Sequence, residues 1–289
     1  MATKPLIVIV GPTASGKTSL AVELAEKFEG EIICADSRTI YKDMDIGTAK
    51  PTAHDRARVP HWGLDLVQPD ERYTAADFKN YALQKIDEIR ARGHVPFLVG
   101  GTGLYVDAIT LDYQFGKPAD PEIRKKLEAM ELGELYIYCS KNNIKLPENA
   151  KNKRYVIRAI ERKDVDSKRR SSPIDNTIIV GITTDRNDLR TKIEKRSEQL
   201  FEDGVVEEAN KLGKKYGWDH ESMTGNIYPL CKKYLNGEMT LDELKQKFII
   251  QDWRLAKRQL TWLRRNSYVQ WFSLAEAKEY LTTHLVSEH

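Results

Sequence analysis

The sequence has few cysteines and no long apolar run, and both absences narrow the kinds of protein it can encode. Only Cys34, Cys139 and Cys231 occur among 289 residues, and no C-x-x-C pair is present. Neither a disulfide framework nor a cysteine-ligated zinc site is therefore indicated. The longest aliphatic run covers residues 6–10 (LIVIV), far short of the roughly 20 residues that a membrane span requires. No signal-peptide pattern surrounds this run, so we expect a cytoplasmic protein that does not bind a membrane.

The net charge of the chain is also small. The 46 Lys and Arg residues are nearly balanced by 43 Asp and Glu residues, which leaves a formal charge of only +3. Composition alone therefore does not indicate a nucleic-acid partner, and any anionic partner must be met by local basic patches. The length is sufficient for two domains, or for one large domain that carries an insertion.

Short apolar runs alternate with helical patterns through the first hundred residues. Strands are predicted over residues 5–10, 31–35 and 95–99, and helices over 17–28 and 74–92. Strands that alternate with helices are typical of a parallel sheet with helices on both faces. We therefore predict an α/β fold of the P-loop NTPase-like type.

The pattern changes in the middle of the chain. Residues 117–172 lose the strand-like runs and become helical and rich in Lys and Arg, before strand character returns at 176–183. After Asp185 the chain reads as helical almost to its end. We interpret this as a catalytic core, residues 1–116 and 173–289, with an inserted helical domain over 117–172.

Residues 11–18 (GPTASGKT) match the P-loop pattern G-x-x-x-x-G-K-[ST]. The motif follows a predicted strand and opens a predicted helix, which is the context it requires. Its glycines let backbone N–H groups surround a phosphate, and the helix N-terminus adds a partial positive charge. Lys17 can reach the outer phosphate, and the Thr18 hydroxyl can ligate Mg²⁺. The motif predicts a diphosphate or triphosphate ligand without indicating which molecule carries it.

A nucleotide kinase or ATPase is the plainest interpretation of a P-loop. Such enzymes usually carry an acidic residue after a second apolar strand, where it helps to hold Mg²⁺. Here the strand at 95–99 is followed by Gly-Gly-Thr-Gly, residues 100–103. The Thr102 hydroxyl and the neighbouring amides indicate a second anion-binding turn. The acid at a strand terminus is instead Asp36.

Seven segments resemble the tRNA dimethylallyltransferases, in the family's order and across nearly the whole chain. They are GPTASGKT (11–18), ADSRTIYKDMDIGTAKP (35–51), VPH (59–61), VGGTGLY (99–105), RAIE (158–161), EKRSEQLFEDGVVEEA (194–209) and LAKRQLTWLRR (255–265). P-loops are common, but this combination of motifs is highly specific.

The resemblance implies a reaction. The dimethylallyl group of dimethylallyl diphosphate moves to N6 of the adenosine on the 3′ side of a tRNA anticodon (position 37), which gives N6-(dimethylallyl)adenosine and diphosphate. It further implies that Asp36 is the general base, that Arg196 clamps the diphosphate, and that Thr102 acts beside the leaving group. Mg²⁺ is the implied cofactor, with Thr18 and Asp36 as its ligands. The implied diphosphate-binding residues are Gly11, Thr13, Ala14, Ser15, Gly16, Lys17, Thr18 and Ser19.

An adenine stacked within tRNA cannot be alkylated in place, so it must be flipped into a pocket. Two basic stretches can grip the RNA backbone of the anticodon stem-loop. Residues 151–170 carry nine Lys or Arg against three acids, and residues 253–265 place cationic and apolar side chains on different helix faces. The tRNA-contacting residues expected from the resemblance are Asp36, Ser37, Arg38, Thr39, Thr102, Arg154, Tyr155, Val156, Ile157, Arg158, Lys257 and Arg258.

The sequence departs from the family pattern at Thr39, where the family usually has Gln, and at Trp62, where it often has a second His. These departures leave the choice of tRNA open. The alternatives are a P-loop small-molecule kinase, an isopentenyltransferase acting on free adenine nucleotides, and a non-enzymatic RNA-binding module. The basic stretches argue against the second, and a complete P-loop argues against the third. We expect the protein to be a monomer.

Overall fold

The computed structural model describes residues 3–116, 120–162 and 169–287. The chain forms two compact units, a larger one of Met1–Leu111 with Ser172–His289 and a smaller one of Asp112–Ser171. The expected start of the insertion, at 117–119, lies outside the described residues, as do residues 163–168 of the first basic stretch.

A six-stranded sheet lies at the centre of the larger unit. Its strands are β1 (Leu6–Val10), β2 (Gly30–Cys34), β3 (His61–Trp62), β4 (Val95–Gly100), β5 (Thr177–Ile182) and β6 (Gln270–Phe272). Their spatial order is β3-β2-β4-β1-β5-β6, and every neighbouring pair is parallel. All five residues of β1 are buried between β4 and β5. The predicted parallel α/β sheet is thus confirmed.

Helices of the larger unit cover both faces of this sheet, whereas the three helices between residues 121 and 162 belong to the smaller unit. In chain order they are α1 (Lys17–Lys27), α2 (Ala53–Arg58), α3 (Ala75–Ala91), α4 (Gly103–Thr110), α5 (Pro121–Ala129), α6 (Leu132–Lys141), α7 (Lys153–Arg162), α8 (Arg186–Glu202), α9 (Val205–Tyr216), α10 (Tyr228–Leu235), α11 (Leu241–Leu263) and α12 (Leu274–Ser287), with a 3₁₀ turn at Glu221–Thr224. Ile7 and Ile9 of β1 pack in one apolar cluster with α1 and α12, whereas Leu6, Val8 and Val10 pack in another with α3 and α4. This alternation follows from the two-residue period of a strand.

A third apolar cluster joins the loop after β2 to the C-terminal helices. It includes Ile40 and Met44 of the loop together with Tyr228 and Phe248. The carboxylate of Glu208 on α9 reinforces it, because it accepts hydrogen bonds from the backbone N–H groups of residues 45–47. The loop that follows Asp36 is therefore anchored at a defined position.

The smaller unit has its own core, built from α5, α6 and α7. Its buried residues include Leu127, Leu135, Val156, Ile157 and Ile160. These side chains come from all three helices, so the unit forms a compact body of its own.

The sequence analysis missed the two edge strands, β3 and β6. The expectation that the chain is helical almost to its end after Asp185 is wrong at residues 270–272, which pair with β5. A strand of three residues is too short to show a period, and its β identity comes from the neighbour it pairs with. Among the described residues, no helix combines the length and apolar character needed to cross a membrane.

Glu31 forms a buried polar hub at the start of β2. Its carboxylate accepts hydrogen bonds from the Arg92 guanidinium at 2.8 Å through both oxygens and from Trp62 Nε1 at 2.6 Å, and it contacts His94 Nδ1 at 2.7 Å. Burial raises the pKa of this carboxyl group, but the hydrogen bonds from Arg92, His94 and Trp62 outweigh it and lower the pKa to about 2. Trp62, one of the departures from the family pattern, is thus a partner of this hub.

We predict that Glu31→Gln lowers the free energy of unfolding by about 2–3 kcal/mol at pH 7, because the buried, charged hydrogen-bond acceptor for half-buried Trp62 and His94 and for exposed Arg92 is lost. Since the folded pKa lies below the ordinary value of 4.5, the wild-type advantage is complete above that value and shrinks as the pH falls toward about 2. Urea unfolding at pH 7, 5 and 3 measures this. The exposed Glu29→Gln is the matched control, and equal stability of Glu31→Gln and wild type at pH 7 would contradict the prediction.

Candidate active site

The P-loop joins β1 to α1 through a turn with two left-handed residues. Ala14 has φ 60° and Gly16 has φ 87°, and a Cβ on Gly16 would lie 2.8 Å from a methyl group of Leu274. Gly16 is also the N-cap residue of α1. The loop therefore ends at a helix N-terminus, where free N–H groups and the helix dipole favour an anion.

Two P-loop side chains are poised for an anion. Nζ of Lys17 donates to the carbonyl oxygen of Pro12 at 3.1 Å. Burial lowers the pKa of Lys17 to about 8; Asp36 and Asp252 raise it, and Arg196 lowers it further. The Ser15 hydroxyl is fully buried and has no hydrogen-bond partner among the described residues. A phosphate oxygen is the kind of group that satisfies such a hydroxyl.

Asp36 and Thr102 lie together because β2 and β4 are neighbours in the sheet. The backbone N–H of Ser37 donates to the Thr102 hydroxyl at 3.1 Å. Gly100 is required at this contact, since a Cβ there would lie 2.1 Å from the carbonyl oxygen of Ala35. Half-buried Asp36 accepts from the Arg38 N–H at 2.8 Å through Oδ1. Its Oδ2 has no partner within the described part of the chain, so this oxygen can meet a substrate.

Arg196 brings a second cation to the P-loop from α8. Its Nη1 donates to the Thr13 hydroxyl and, at 3.1 Å, to Oδ2 of Asp252 on α11. From the same helix, Oε1 of Gln259 accepts from the backbone N–H of Thr13 at 2.8 Å. The sequence analysis missed Asp252 and Gln259. The signal was their helical spacing, because residues 252, 256 and 259 fall on one side of α11.

These elements surround one cavity of about 460 Å³, a volume typical of small-molecule sites. Its lining includes residues that were predicted from the sequence, namely Thr13, Ala14, Gly16, Lys17, Thr18, Asp36, Ser37, Arg38, Thr39, Thr102, Arg196 and Arg258. It also includes residues that were not predicted, among them Asn226, Tyr228, Phe248, Asp252, Leu255 and Gln259. Gly11 and Ser15 are buried within the loop and are not among the cavity-lining residues, and Ser19 is exposed. Lys257 is exposed and lies over the Trp253 ring at 5.3 Å.

Comparisons with known proteins identify the family of this chain. The IPP transferase family model matches residues 39–266, and the isopentenyl transferase model matches residues 4–61. A tRNA dimethylallyltransferase of Acetivibrio thermocellus is 41% identical over 94% of this chain and 92% of its own. One of Bacillus pumilus is 37% identical over 94% and 90%. The chain belongs to the tRNA dimethylallyltransferase family. It is a prenyltransferase, and the resemblance stated from the sequence motifs is confirmed.

Solved structures support the same assignment. A tRNA isopentenylpyrophosphate transferase of Bacillus halodurans superimposes with a TM-score of 0.75 at 37% identity, covering 98% of this chain and 97% of its own. A eukaryotic dimethylallyltransferase superimposes with a TM-score of 0.79 at 21% identity, over 94% of this chain and 74% of its own, which supports the fold alone. The kinase and free-nucleotide alternatives are not favoured.

Two residues that we expected to contact tRNA are already engaged within this prenyltransferase. Thr39 is 5% exposed, and its hydroxyl donates to the carbonyl oxygen of Asp36 at 3.3 Å. The Arg38 guanidinium donates to the carbonyl oxygens of Glu221 at 2.7 Å and Ser222 at 3.3 Å. Arg38 therefore braces the 3₁₀ turn at 221–224.

The smaller unit divides its predicted tRNA-contacting residues into two groups. Arg154 and Tyr155 are exposed on α7. Arg158 is half-buried and pairs with Glu161 at 3.0 Å. Val156 and Ile157 lie in the core of the unit, where their side chains stabilise α7.

The donor set suits a Mg²⁺ ion that arrives with a diphosphate. Among the described residues, no group of three or more His, Cys, Asp or Glu side chains could hold a metal ion. Mg²⁺ in proteins is often held by one or two carboxylates together with substrate phosphates. The half-buried Thr18 and Asp36 on the cavity wall fit that arrangement.

We predict that Arg38→Ala loosens the 3₁₀ turn without unfolding the chain. Loss of the hydrogen bonds to residues 221–224 should speed amide hydrogen exchange there about tenfold or more, since local opening becomes easier. Exchange followed by mass spectrometry measures this, with exposed Arg254→Ala as the control. Unchanged exchange at 221–224 together with weaker tRNA binding would assign Arg38 to the RNA instead.

Proposed function

We propose that this chain transfers the dimethylallyl group of dimethylallyl diphosphate to N6 of the adenosine at position 37 of tRNA. The observation that carries the proposal is that a carboxylate with a free oxygen, Asp36, lines the same cavity as a P-loop and a second cation, Arg196. In such a cavity the P-loop and Arg196 can bind a leaving diphosphate, and the Asp36 carboxylate can accept a proton. Relatives that match nearly the whole chain are named for this activity.

The P-loop side of the cavity stabilises the leaving group. As the bond between N6 and the first prenyl carbon forms, the bond from that carbon to the diphosphate oxygen breaks. Lys17, Arg196 and the amides at the α1 N-terminus place fixed positive charge and donors around the departing oxygens. Thr18 and Oδ1 of Asp36 would hold a Mg²⁺ ion, which would supply further positive charge to the leaving group.

Asp36 supplies the base. The N6 lone pair of adenine is delocalised into the ring, so the amine is a weak nucleophile and must lose a proton as the new bond forms. The Arg38 N–H fixes Oδ1 of Asp36, which leaves Oδ2 to accept the N6 proton and to orient the amine. The Thr102 hydroxyl accepts a hydrogen bond from the Ser37 N–H, and it thereby joins the loop after β4 to the loop that carries Asp36.

The exposed face of α11 is the surface that we assign to the tRNA backbone. Arg254, Lys257 and Arg258 are exposed there, and Arg258 also lines the cavity. A phosphate contact at Arg258 would hold the anticodon loop at the rim while the flipped adenine enters. Arg154 and Tyr155 of the smaller unit are proposed as further contacts. We also propose that the enzyme acts as a monomer, in the cytoplasm where its tRNA substrate is found.

The deciding experiment is to incubate the enzyme and Mg²⁺ with labelled dimethylallyl diphosphate and unmodified tRNA, with AMP and ATP in parallel reactions. We expect label in the anticodon loop and release of pyrophosphate. Label on AMP would favour the free-nucleotide enzyme, and ATP turnover would favour the kinase.

In the same assay, Asp36→Ala should lower the rate of transfer by about 10²–10⁴ while tRNA affinity is retained, because a general base contributes about that much. Normal turnover of that variant would remove Asp36 from the mechanism.

We further predict that Arg258→Ala weakens tRNA binding and lowers the slope of log K against log salt concentration by about 1, because one phosphate contact is lost. Filter binding between 50 and 200 mM salt measures this. The matched control is Lys27→Ala, since Lys27 ends α1 about 15 Å along the helix from Lys17 and therefore far from the cavity. An unchanged slope would show that this face of α11 does not meet phosphate.

A further inference from the structure

Asp252 is a buried carboxylate beside the diphosphate site, and it carries no role in the reaction described above. The residue is 3% exposed and lies on α11, where that helix packs against α8 around Leu189, Ile193 and Ala256. Its Oδ2 accepts from Arg196 at 3.1 Å, and its Oδ1 accepts from the side-chain amide of Asn226 at 3.3 Å. Each carboxylate oxygen thus accepts a hydrogen bond from a protein side chain, which fixes the orientation of Asp252 at the cavity wall.

A buried ion pair between helices contributes little net stability compared with apolar side chains of the same size. Its geometric effect is larger, because a guanidinium has five N–H groups in a fixed plane. Nη1 of Arg196 uses its two N–H groups on Thr13 and Asp252. Within the described ranges, Nε and Nη2 make no hydrogen bond to protein. Nη1 is therefore held by the protein, whereas Nε and Nη2 are available, and because Arg196 lines the cavity this pair can bind two oxygens of one phosphate.

We propose that Asp252 is a positioning residue that fixes the Arg196 guanidinium against the P-loop, with Asn226 fixing Asp252 in turn. The proposal rests on the proposed function, in which Arg196 clamps the leaving diphosphate. Asp252 and Thr13 hold the guanidinium from two sides, one on α11 and one in the loop itself. Without Asp252 the long Arg196 side chain keeps only the Thr13 contact and samples other rotamers, so its free edge is no longer pre-organised.

The test compares Asp252→Asn with a matched buried carboxylate, Asp107→Asn. Asp107 is 7% exposed and also braces α11, since it accepts from Trp262 Nε1 at 2.7 Å and from Asn266 at 3.2 Å. We expect Asp252→Asn to lower kcat for transfer about 10- to 100-fold, because small misplacements of a positioning group cost about that much, while the KM for tRNA changes less than about twofold. Asp107→Asn should keep kcat within about threefold of wild type. An equal loss of kcat in the two variants would reduce Asp252 to a helix–helix contact and overturn the proposal.

A double-mutant cycle separates action through Arg196 from any independent effect. In the Arg196→Ala background, Asp252→Asn should lower kcat by less than about threefold, because its partner is already absent. A full 10- to 100-fold loss in both backgrounds would overturn the proposal. If Asp252→Asn does not fold, Asn226→Ala replaces it in the cycle, with an expected loss of about 3- to 10-fold that Arg196→Ala abolishes.

Binding of inorganic pyrophosphate, measured by calorimetry, keeps this inference separate from the proposed function. Asp252→Asn should weaken pyrophosphate binding about tenfold, and Asp107→Asn should not weaken it. Wild-type enzyme that binds pyrophosphate with this dependence on Asp252 but transfers no label to tRNA would contradict the proposed function and leave the positioning role supported. Equal pyrophosphate affinity of wild type and Asp252→Asn would contradict the positioning role.

Discussion

Parallel pairing of β1, β4 and β2 is the constraint on which the candidate site depends. Because the carboxyl ends of parallel strands meet at one edge of the sheet, the P-loop, the Thr102 turn and Asp36 converge although the chain visits them far apart. The backbone approach at Gly100 shows how tight this convergence is, since a Cβ there would lie 2.1 Å from the carbonyl oxygen of Ala35. The chemistry of the site thus follows from strand order before any side chain is considered.

The second constraint is the balance of charge within the cavity. Lys17 and Arg196 face Asp36 and Asp252, and each acid offsets part of the loss in Lys17 basicity that burial and Arg196 cause. Without the two acids, burial and the neighbouring Arg196 would lower the pKa of Lys17 further, so the acids help Lys17 to stay charged. The two carboxylates therefore favour binding of an anionic ligand indirectly, because they help to keep Lys17 positively charged.

Much of this arrangement could be predicted from the sequence, and the rest could not, for physical reasons. The P-loop, the strand ends and Asp36 are local patterns, so residues 11–18 and the long strands were predicted close to their observed positions. Asp252 and Gln259 were missed because their partners, Arg196 and Thr13, come from other parts of the chain. The internal hydrogen bonds of Arg38 and Thr39 could not be predicted either, because the sequence does not show which backbone carbonyl groups lie beside these side chains. The edge strands were missed because two or three residues carry no period.

The long helix α11 presents different chemistry on its two sides. One side places Asp252 and Gln259 against the site, Arg254 and Lys257 are exposed to solvent on the other side, and Arg258 lies at the rim between them. Both sets of side chains are attached to one continuous helix, so a shift or rotation of the helix moves both. A substitution that rotates α11 to bind the RNA backbone more tightly also moves Asp252 and Gln259, which accept hydrogen bonds from Arg196 and from the Thr13 amide. Substitutions in this helix that change which RNA is bound will therefore also change the rate of transfer, because both depend on the position of α11.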